Sequence, residues 1–415
     1  MRLDAGIIRA VALMGPVAVL LVAARVRRPG ESRVAAAILA TAWNLLVLAV
    51  VNVVALRAGW WTFHAEGGLL AGVPADLLLG WAVLWGACPA LAAPRAPVPL
   101  TAALPAWLDL ALMPRAEPVV VLGSHWWAGE AAAIAFALVP GLLLARWTEE
   151  RRLLPARAAF QVVLAGGLGL VAPVALTGVW RQPGWMLALA AQALAAPMVF
   201  GLAAVREFAV VGRGTPLPYD APVRLVTGGP YAYVRNPMQV AMTAGYLLLA
   251  PLDPAFLAAA AVTFAYGAGL AAWHEGEQLE RRFGGAWHDY RRRVRPWLPR
   301  LRPAMSPGMP PASLYVAATC GQCRQVGAWM VRHAPVALQV VPAESHPCGL
   351  RRITYEREDG VRTQGVAAVA HALTHIHLGW ALAGWLLLLP GIGSFAQLCL
   401  DALGAGPRTY PTTRA

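Results

Sequence analysis

Long apolar runs separated by short arginine-rich stretches dominate the chain. Runs approaching the ~20 residues that cross a bilayer lie at 6–24, 34–56, 68–93, 128–146, 157–180 and 183–204. A run at 254–273 is joined to a shorter one at 238–251 by Pro251-Leu252-Asp253-Pro254, which reads as the tight turn of a helical hairpin. Segments 98–113 and 238–251 are short for spanning helices. Counted as spans they bring the total to about nine; read as re-entrant or interfacial helices they lower it. The pattern predicts a mainly α fold, a polytopic helical membrane bundle.

Composition agrees with lipid contact. With 58% hydrophobic residues, 13% charged residues and a mean hydropathy of +0.55, the chain lacks the polar surface a soluble monomer needs. The net charge of +13 is carried by arginine alone. Its arginines fall between apolar segments rather than on one amphipathic face, which argues against nucleic acid as a partner. Arg25 to Arg28, Arg146 to Arg157, Arg206 to Arg235 and Arg281 to Arg302 all lie on one side of a nine-span path, so this side is expected in the cytoplasm, with the N-terminus outside. Trp60-Trp61 and Trp126-Trp127 are expected as interfacial aromatics, and no cleavage site follows the first apolar run. Among the polar residues of the first 200 positions, Asp76 and Glu130 are candidates for a proton or substrate path. Asn44, Asn52, Asp109 and these two can equally serve as interhelical hydrogen-bonding groups.

Chemistry concentrates further on, in Gly228-Gly229-Pro230-Tyr231-Ala232-Tyr233-Val234-Arg235-Asn236-Pro237-Met238. Glu275, Leu279, Phe283-Gly284, Tyr290, Val294 and Trp297-Leu298-Pro299 follow, and Gly212-Arg213-Gly214-Thr215-Pro216 and Pro222-Val223-Arg224-Leu225-Val226 precede. This ordered string resembles the isoprenylcysteine carboxyl methyltransferase and phospholipid methyltransferase superfamily of integral-membrane enzymes. It departs from many relatives at Asn236, Gln239, Gly276 and Trp287, where they carry His, Tyr, Glu and Tyr. The resemblance implies S-adenosylmethionine as cosubstrate, held by Gly229, Tyr231, Tyr233, Arg235, Asn236, Pro237 and Glu275, with Arg235, Asn236 and Glu275 nearest the chemistry. The residue types fit: a guanidinium offers a planar fork for a carboxylate, and a carboxylate meets an ammonium or a ribose hydroxyl. Gly228-Gly229 permits close backbone approach, and Pro237 restricts Asn236 where the next helix begins. Singly, each residue has a plainer reading, the arginines as topology determinants and Glu275 as a partner of Arg281 or Arg282.

Beyond Trp297-Leu298-Pro299-Arg300 the composition changes, and Pro303 to Pro311 reads as a linker. A strand at 314–318, Cys320-Gly321-Gln322-Cys323 opening a helix to about residue 333, and a strand at 336–341 follow in the order of a thioredoxin-like fold. With Asp359-Gly360-Val361, Gly365 to Val369 and Leu389-Pro390-Gly391-Ile392-Gly393, the segment resembles the thiol-disulfide oxidoreductases named for their DCC motif. Here Ala317-Ala318-Thr319 replaces the Asp-Gly pair that precedes their first cysteine. The resemblance implies Cys320 as nucleophile and Cys323 as its resolving partner. The alternative is a degenerate domain. No metal site is expected, because no second CxxC occurs and His371, His375 and His377 are unevenly spaced, as surface or structural residues. The apolar stretch 378–389 is short for a span and is expected as a buried helix or a membrane-docking face.

The organisation expected is a multispan region (1–205), a signature region with a helical hairpin (206–302), a linker (303–311) and an α/β thioredoxin-like domain (312–410). The function expected is methylation of a lipophilic or lipid acceptor at the cytoplasmic face of the cell membrane. Isoprenylcysteine-like O-methylation asks least of the protein, since a carboxylate needs no base at neutral pH. Lipid amine or thiol methylation, and a non-catalytic membrane anchor for a thiol-redox domain, are the alternatives.

Overall fold

A computed structural model describes residues 4–93, 96–216, 222–304 and 311–407. The chain divides into two compact units, Met1–Trp180 with Thr215–Ala221, and Arg181–Gly214 with Pro222–Ala415.

In the first unit, α1 (Ala5–Arg27) and α2 (Glu31–Ala58) are followed by three short strands, β1 (Trp61–Phe63), β2 (Leu69–Leu70) and β3 (Val73–Pro74). Then come α3 (Ala75–Ala92), α4 (Val98–Leu112), β4 (Val120–Leu122), α5 (Trp126–Glu149) and α6 (Leu154–Thr177). Helix α2 is central: Ala36, Ala40, Asn44, Leu48, Asn52 and Ala55 are buried at helical spacing, and the alanines among them let α3 and α5 approach. Its other face leaves Val50 and Val54 exposed, as lipid-facing positions must be.

Of the five polar residues singled out in this unit, two of them, Asp76 and Glu130, as pathway candidates, most are accounted for locally. Asp76 pairs with Arg9 at 2.6 Å. Asn44 and Asn52 donate to Ala40 O and Leu48 O, and Asn52 Oδ1 accepts from the Trp61 indole at 3.0 Å. Glu130 and Asp109 lie against each other. Trp61 is fully buried, so it is a core residue and not the expected interfacial aromatic; Trp127 is exposed. The run at 68–93 becomes helical only from Ala75, since β2 and β3 pair as a tight hairpin around Gly72.

The second unit begins with α7 (Gly184–Val210), α8 (Pro237–Leu249), α9 (Ala255–Phe283) and α10 (Gly285–Arg293). Helix α9 runs ten residues past the expected end of its apolar run, through a π-bulge at Gly267–Ala271. A Cβ on Gly267 would stand 2.7 Å from Trp297, so glycine there lets the indole pack on the bulge. The remainder comprises β5 (Ala312–Val316), α11 (Gly321–Arg332), β6 (Leu338–Pro342), β7 (Thr354–Glu356), β8 (Arg362–Gln364), α12 (Val366–Leu373), α13 (Leu378–Leu387) and α14 (Ile392–Leu400). Its sheet has the order β6-β5-β7-β8, with β5 and β6 parallel and the other pairs antiparallel. Leu314, Met330 and Tyr355 are fully buried in its core. Most of the expected linker, 305–310, and the end of the C-terminal domain, from 408, lie outside the described residues.

Among the described residues seven helices are long and apolar enough to cross a membrane, or eight if the pair Leu378–Leu387 and Ile392–Gly404, bent by 86°, is one span. The protein is consistent with a multi-pass membrane protein of fewer full-length spans than the nine expected. Segments 98–113 and 238–251 are helices of 15 and 13 residues, the second bounded by Pro237 and Pro251. At 1.5 Å per residue they reach only about 20 Å.

Candidate functional site

The signature loop folds where α7, α8, α9 and α10 meet. Its glycine pair turns at Gly229, whose φ of +57° suits glycine. A 3₁₀ turn over Gly229–Ala232 follows, and Pro237 opens α8 with Asn236 in the cap position. The backbone of the loop is tied down along its length: Arg235 N donates to Arg295 O (2.8 Å), Arg300 N to Tyr233 O (2.9 Å) and Ala304 N to Ala232 O (2.8 Å). Thus the irregular segment 295–304, which carries Trp297-Leu298-Pro299, runs along the loop.

Tyr231 and Tyr233 are both buried but serve differently. Tyr233 donates its hydroxyl to Thr374 O at 2.9 Å. Tyr231 accepts at its carbonyl from the Tyr290 hydroxyl (2.9 Å), while its own hydroxyl has no partner among the described residues. Burial, then the charges of Tyr290, Glu275 and Glu207, raise the Tyr231 phenol well above the ordinary tyrosine range; Leu279 and Phe283, one and two turns beyond Glu275, pack on the cluster of Tyr231, Trp287 and Tyr290. Burial likewise raises the Tyr290 phenol, against the nearby Arg235.

Arg235 is half-buried, 5.7 Å from the centre of the Trp287 ring, and Arg291 is as far from the same ring. Burial and then Arg291 lower its pKa from the usual arginine value, with Tyr290 opposing. It forms no ion pair among the described residues. Glu275, in the first turn of the polar end of α9, forms none either; Arg281 pairs instead with Glu277 (3.3 Å). The Trp287 indole N–H is also buried without a partner among the described residues. The structure therefore gathers Arg235, Tyr290, Tyr231 and Trp287, with Glu275 within electrostatic reach of Tyr231, and among the described residues a guanidinium, a carboxyl, a phenol and an indole N–H have no hydrogen-bond partner. Such a set suits a zwitterionic ligand with hydroxyl groups. The Asn236 side chain makes no cap hydrogen bond.

Glu207 beside the loop is a residue that sequence reading missed. It is the only acid of α7 and stands against both glycines, and an acid at the end of an otherwise apolar helix was the signal available.

In the C-terminal fold, Cys320 caps α11, its sulfur accepting from Cys323 N at 3.4 Å. Ahead of it, Glu344 accepts from Ala318 N, Thr319 N and Thr319 Oγ1 at 3.1–3.2 Å. Slight burial would raise this carboxyl, but those bonds outweigh it and lower it. His371 and His375 are buried, not at the surface. His371 stacks on Tyr355 (centroids 5.2 Å apart), and His375 bonds Val336 O and the Tyr355 hydroxyl, so their roles are internal; His377 caps α13. Among the described residues no group of three or more His, Cys, Asp or Glu is arranged to hold a metal.

No family model, no curated protein and no solved structure matches this chain.

Proposed function

We propose that the protein is a membrane S-adenosylmethionine-dependent methyltransferase of the isoprenylcysteine carboxyl methyltransferase type, acting on a lipophilic acceptor. The observation that carries this reading is the set of unpaired polar groups, Arg235, Glu275, the Tyr231 hydroxyl and the Trp287 N–H, gathered around the signature loop. S-adenosylmethionine, when bound, supplies an activated methyl group on a sulfonium. In this reading Arg235 takes its carboxylate, with the Trp287 ring fixing the guanidinium plane, and Glu275 takes the ammonium or a ribose hydroxyl. Gly228-Gly229 admits close approach, Asn236 is held at the mouth of α8, and Tyr233 anchors the loop. In-line methyl transfer would ask these residues only to hold the bound sulfonium and the acceptor close and aligned. A carboxylate acceptor arrives deprotonated, so no base is required. The test is lipid profiling of cells with and without the protein, fed isotopically labelled methionine. A labelled lipid absent from the deleted cells supports the reading, and identical profiles reject it.

We further propose a thioredoxin-like redox role for the C-terminal fold, because Cys320 stands at a helix N-terminus, where the dipole favours thiolate, with Cys323 one turn on. Cys320 and Cys323 should interconvert between dithiol and disulfide at a defined potential, and Cys320→Ser should abolish exchange while sparing methyl transfer. Thiols that form no disulfide under mild oxidant would favour a degenerate domain.

Orientation is proposed from the arginine clusters. Arg25 to Arg28 and Arg146 to Arg157 share the cytoplasmic side only if the short helix α4 also crosses. Single cysteines introduced as Pro29→Cys and Arg152→Cys should both resist a membrane-impermeant thiol reagent in intact cells. Labelling of one and not the other would mean that α4 does not cross and would remove the basis for placing the signature loop in the cytoplasm.

A further inference from the structure

The glycine pair of the signature is backed by an ion pair that the C-terminal fold supplies. Arg357, in the hairpin between β7 and β8, donates from Nη2 to Glu207 Oε1 of α7 at 2.8 Å and is also bonded to Asp359. The paired side chains are only 11% and 7% exposed. A Cβ on Gly228 would come within 3.1 Å of both Arg357 Nη1 and Glu207 Oε1, and one on Gly229 within 3.0 Å of Glu207 Cγ and Cδ. Burial would lower the Arg357 pKa, but Glu207 and Asp359 outweigh it, so the guanidinium is firmly charged.

A second set of contacts fastens the same loop to the same fold. Besides the Tyr233 bond to Thr374 O, the Tyr233 ring meets Trp385 edge-on at 5.6 Å, and Trp385 packs 5.5 Å from Phe200 of α7. Leu378 N donates to Leu301 O at 2.8 Å. A domain merely tethered to the membrane region would need none of these buried, specific contacts.

We propose that the C-terminal fold is a clamp on the signature loop, with Arg357 as the positioning residue that acts through Glu207 on Gly228-Gly229. The inference rests on reading that loop as the cosubstrate site only for its functional consequence; the clamp itself is a property of the fold. A buried pair that loses one member leaves an uncompensated charge, whereas neutralising both members removes that cost. The double variant therefore distinguishes a pair acting together from two residues that each matter for packing.

The experiment is hydrogen exchange of the 228–236 amides, with S-adenosylmethionine titration alongside, in the full-length detergent-solubilised protein and in Glu207→Gln, Arg357→Gln, Glu207→Gln/Arg357→Gln and Tyr233→Phe. Arg357→Gln should speed loop exchange roughly tenfold or more, and the double variant should exchange more slowly than Arg357→Gln alone. Tyr233→Phe, which keeps the ring and loses only the bond to Thr374, should speed exchange less; with Glu207→Gln it decides the matter should Arg357→Gln fail to fold. Unchanged loop exchange in the folded single variants, or a double variant whose effect is the sum of the singles, overturns the clamp. A parent protein that ignores S-adenosylmethionine yet shows the expected exchange pattern rejects the cosubstrate reading and leaves the clamp standing.

Discussion

Arg235→Ala and Glu275→Ala should each weaken binding of S-adenosylmethionine by roughly ten- to a hundredfold, the loss of a charge-assisted contact worth about 1.5–3 kcal/mol. The direction follows from the surroundings. Arg235 is a half-buried cation whose charged neighbour is another cation, Arg291, and burial and that arginine both disfavour its charge. Only Tyr290 and the Trp287 ring oppose this, and no carboxylate pairs with Arg235 among the described residues, so an arriving carboxylate would offset the cost. Glu275 likewise has no cation partner among the described residues; Arg281 is engaged by Glu277. Arg235→Lys should remain impaired, since an ammonium cannot reproduce the bidentate fork or the stacking on Trp287. Asn236→His should be tolerated, because the Asn236 side chain makes no cap bond that a histidine would break. Each variant must keep the parent's thermal transition for its affinity to count. Full affinity in both alanine variants would mean that the cosubstrate carboxylate and ammonium lie elsewhere.

The C-terminal fold should lose stability steeply on mild acidification. His371 and His375 are buried and held neutral, their pKa values pushed down from 6.5 to about 3 and about 4, chiefly by burial and then by nearby Arg206 and Arg357 for His371. The unfolded chain binds protons at these two sites from about pH 6.5 downward, and the folded protein does not. Stability is therefore complete above the unfolded pKa and drains away as pH falls towards the folded values. At pH 5 each histidine should cost about 2 kcal/mol relative to pH 7, so the pair should lower the melting temperature by several degrees. The check is thermal unfolding of the detergent-solubilised protein at pH 7, 6 and 5, in the parent and in His371→Gln. The parent should lose stability progressively, and His371→Gln should start lower but lose less between pH 7 and 5. A melting temperature flat over that range, or an equal acid loss in the variant, would show that these rings are not buried neutral.

Hydrophobic pattern made much of this fold legible. Segments 6–24 and 34–56 became helices within a few residues of the expected ends, because a long apolar run has no other way to satisfy its backbone in lipid. The strand, CxxC helix and strand at 314–341 emerged in the expected order, shifted by about two residues, because short alternating runs fix strand existence better than strand ends. Misreadings came where partners distant in sequence decide. Trp61 is buried because Asn52 and Trp81 meet it, which no window around residue 61 reveals. Of the two readings open for His371 and His375, surface or structural, the structural one holds, because Tyr355 of β7 contacts both rings. At the site, the ordered residues from Gly228 to Pro299 marked the loop, and the structure brings Arg235, Tyr231 and Glu275 to one place. Glu207 and Arg357 escaped notice because they are 150 positions apart and become meaningful only as a pair. Glu344, approaching the CxxC from beyond β6, was hidden for the same reason.

The central claim is that this loop holds S-adenosylmethionine, and calorimetric titration of the purified full-length protein with S-adenosylmethionine and S-adenosylhomocysteine tests it most directly. The account predicts saturable binding of both below millimolar concentration, weakened in Arg235→Ala. Absence of binding by either ligand at millimolar concentration, in protein that shows an intact thermal transition, would contradict it.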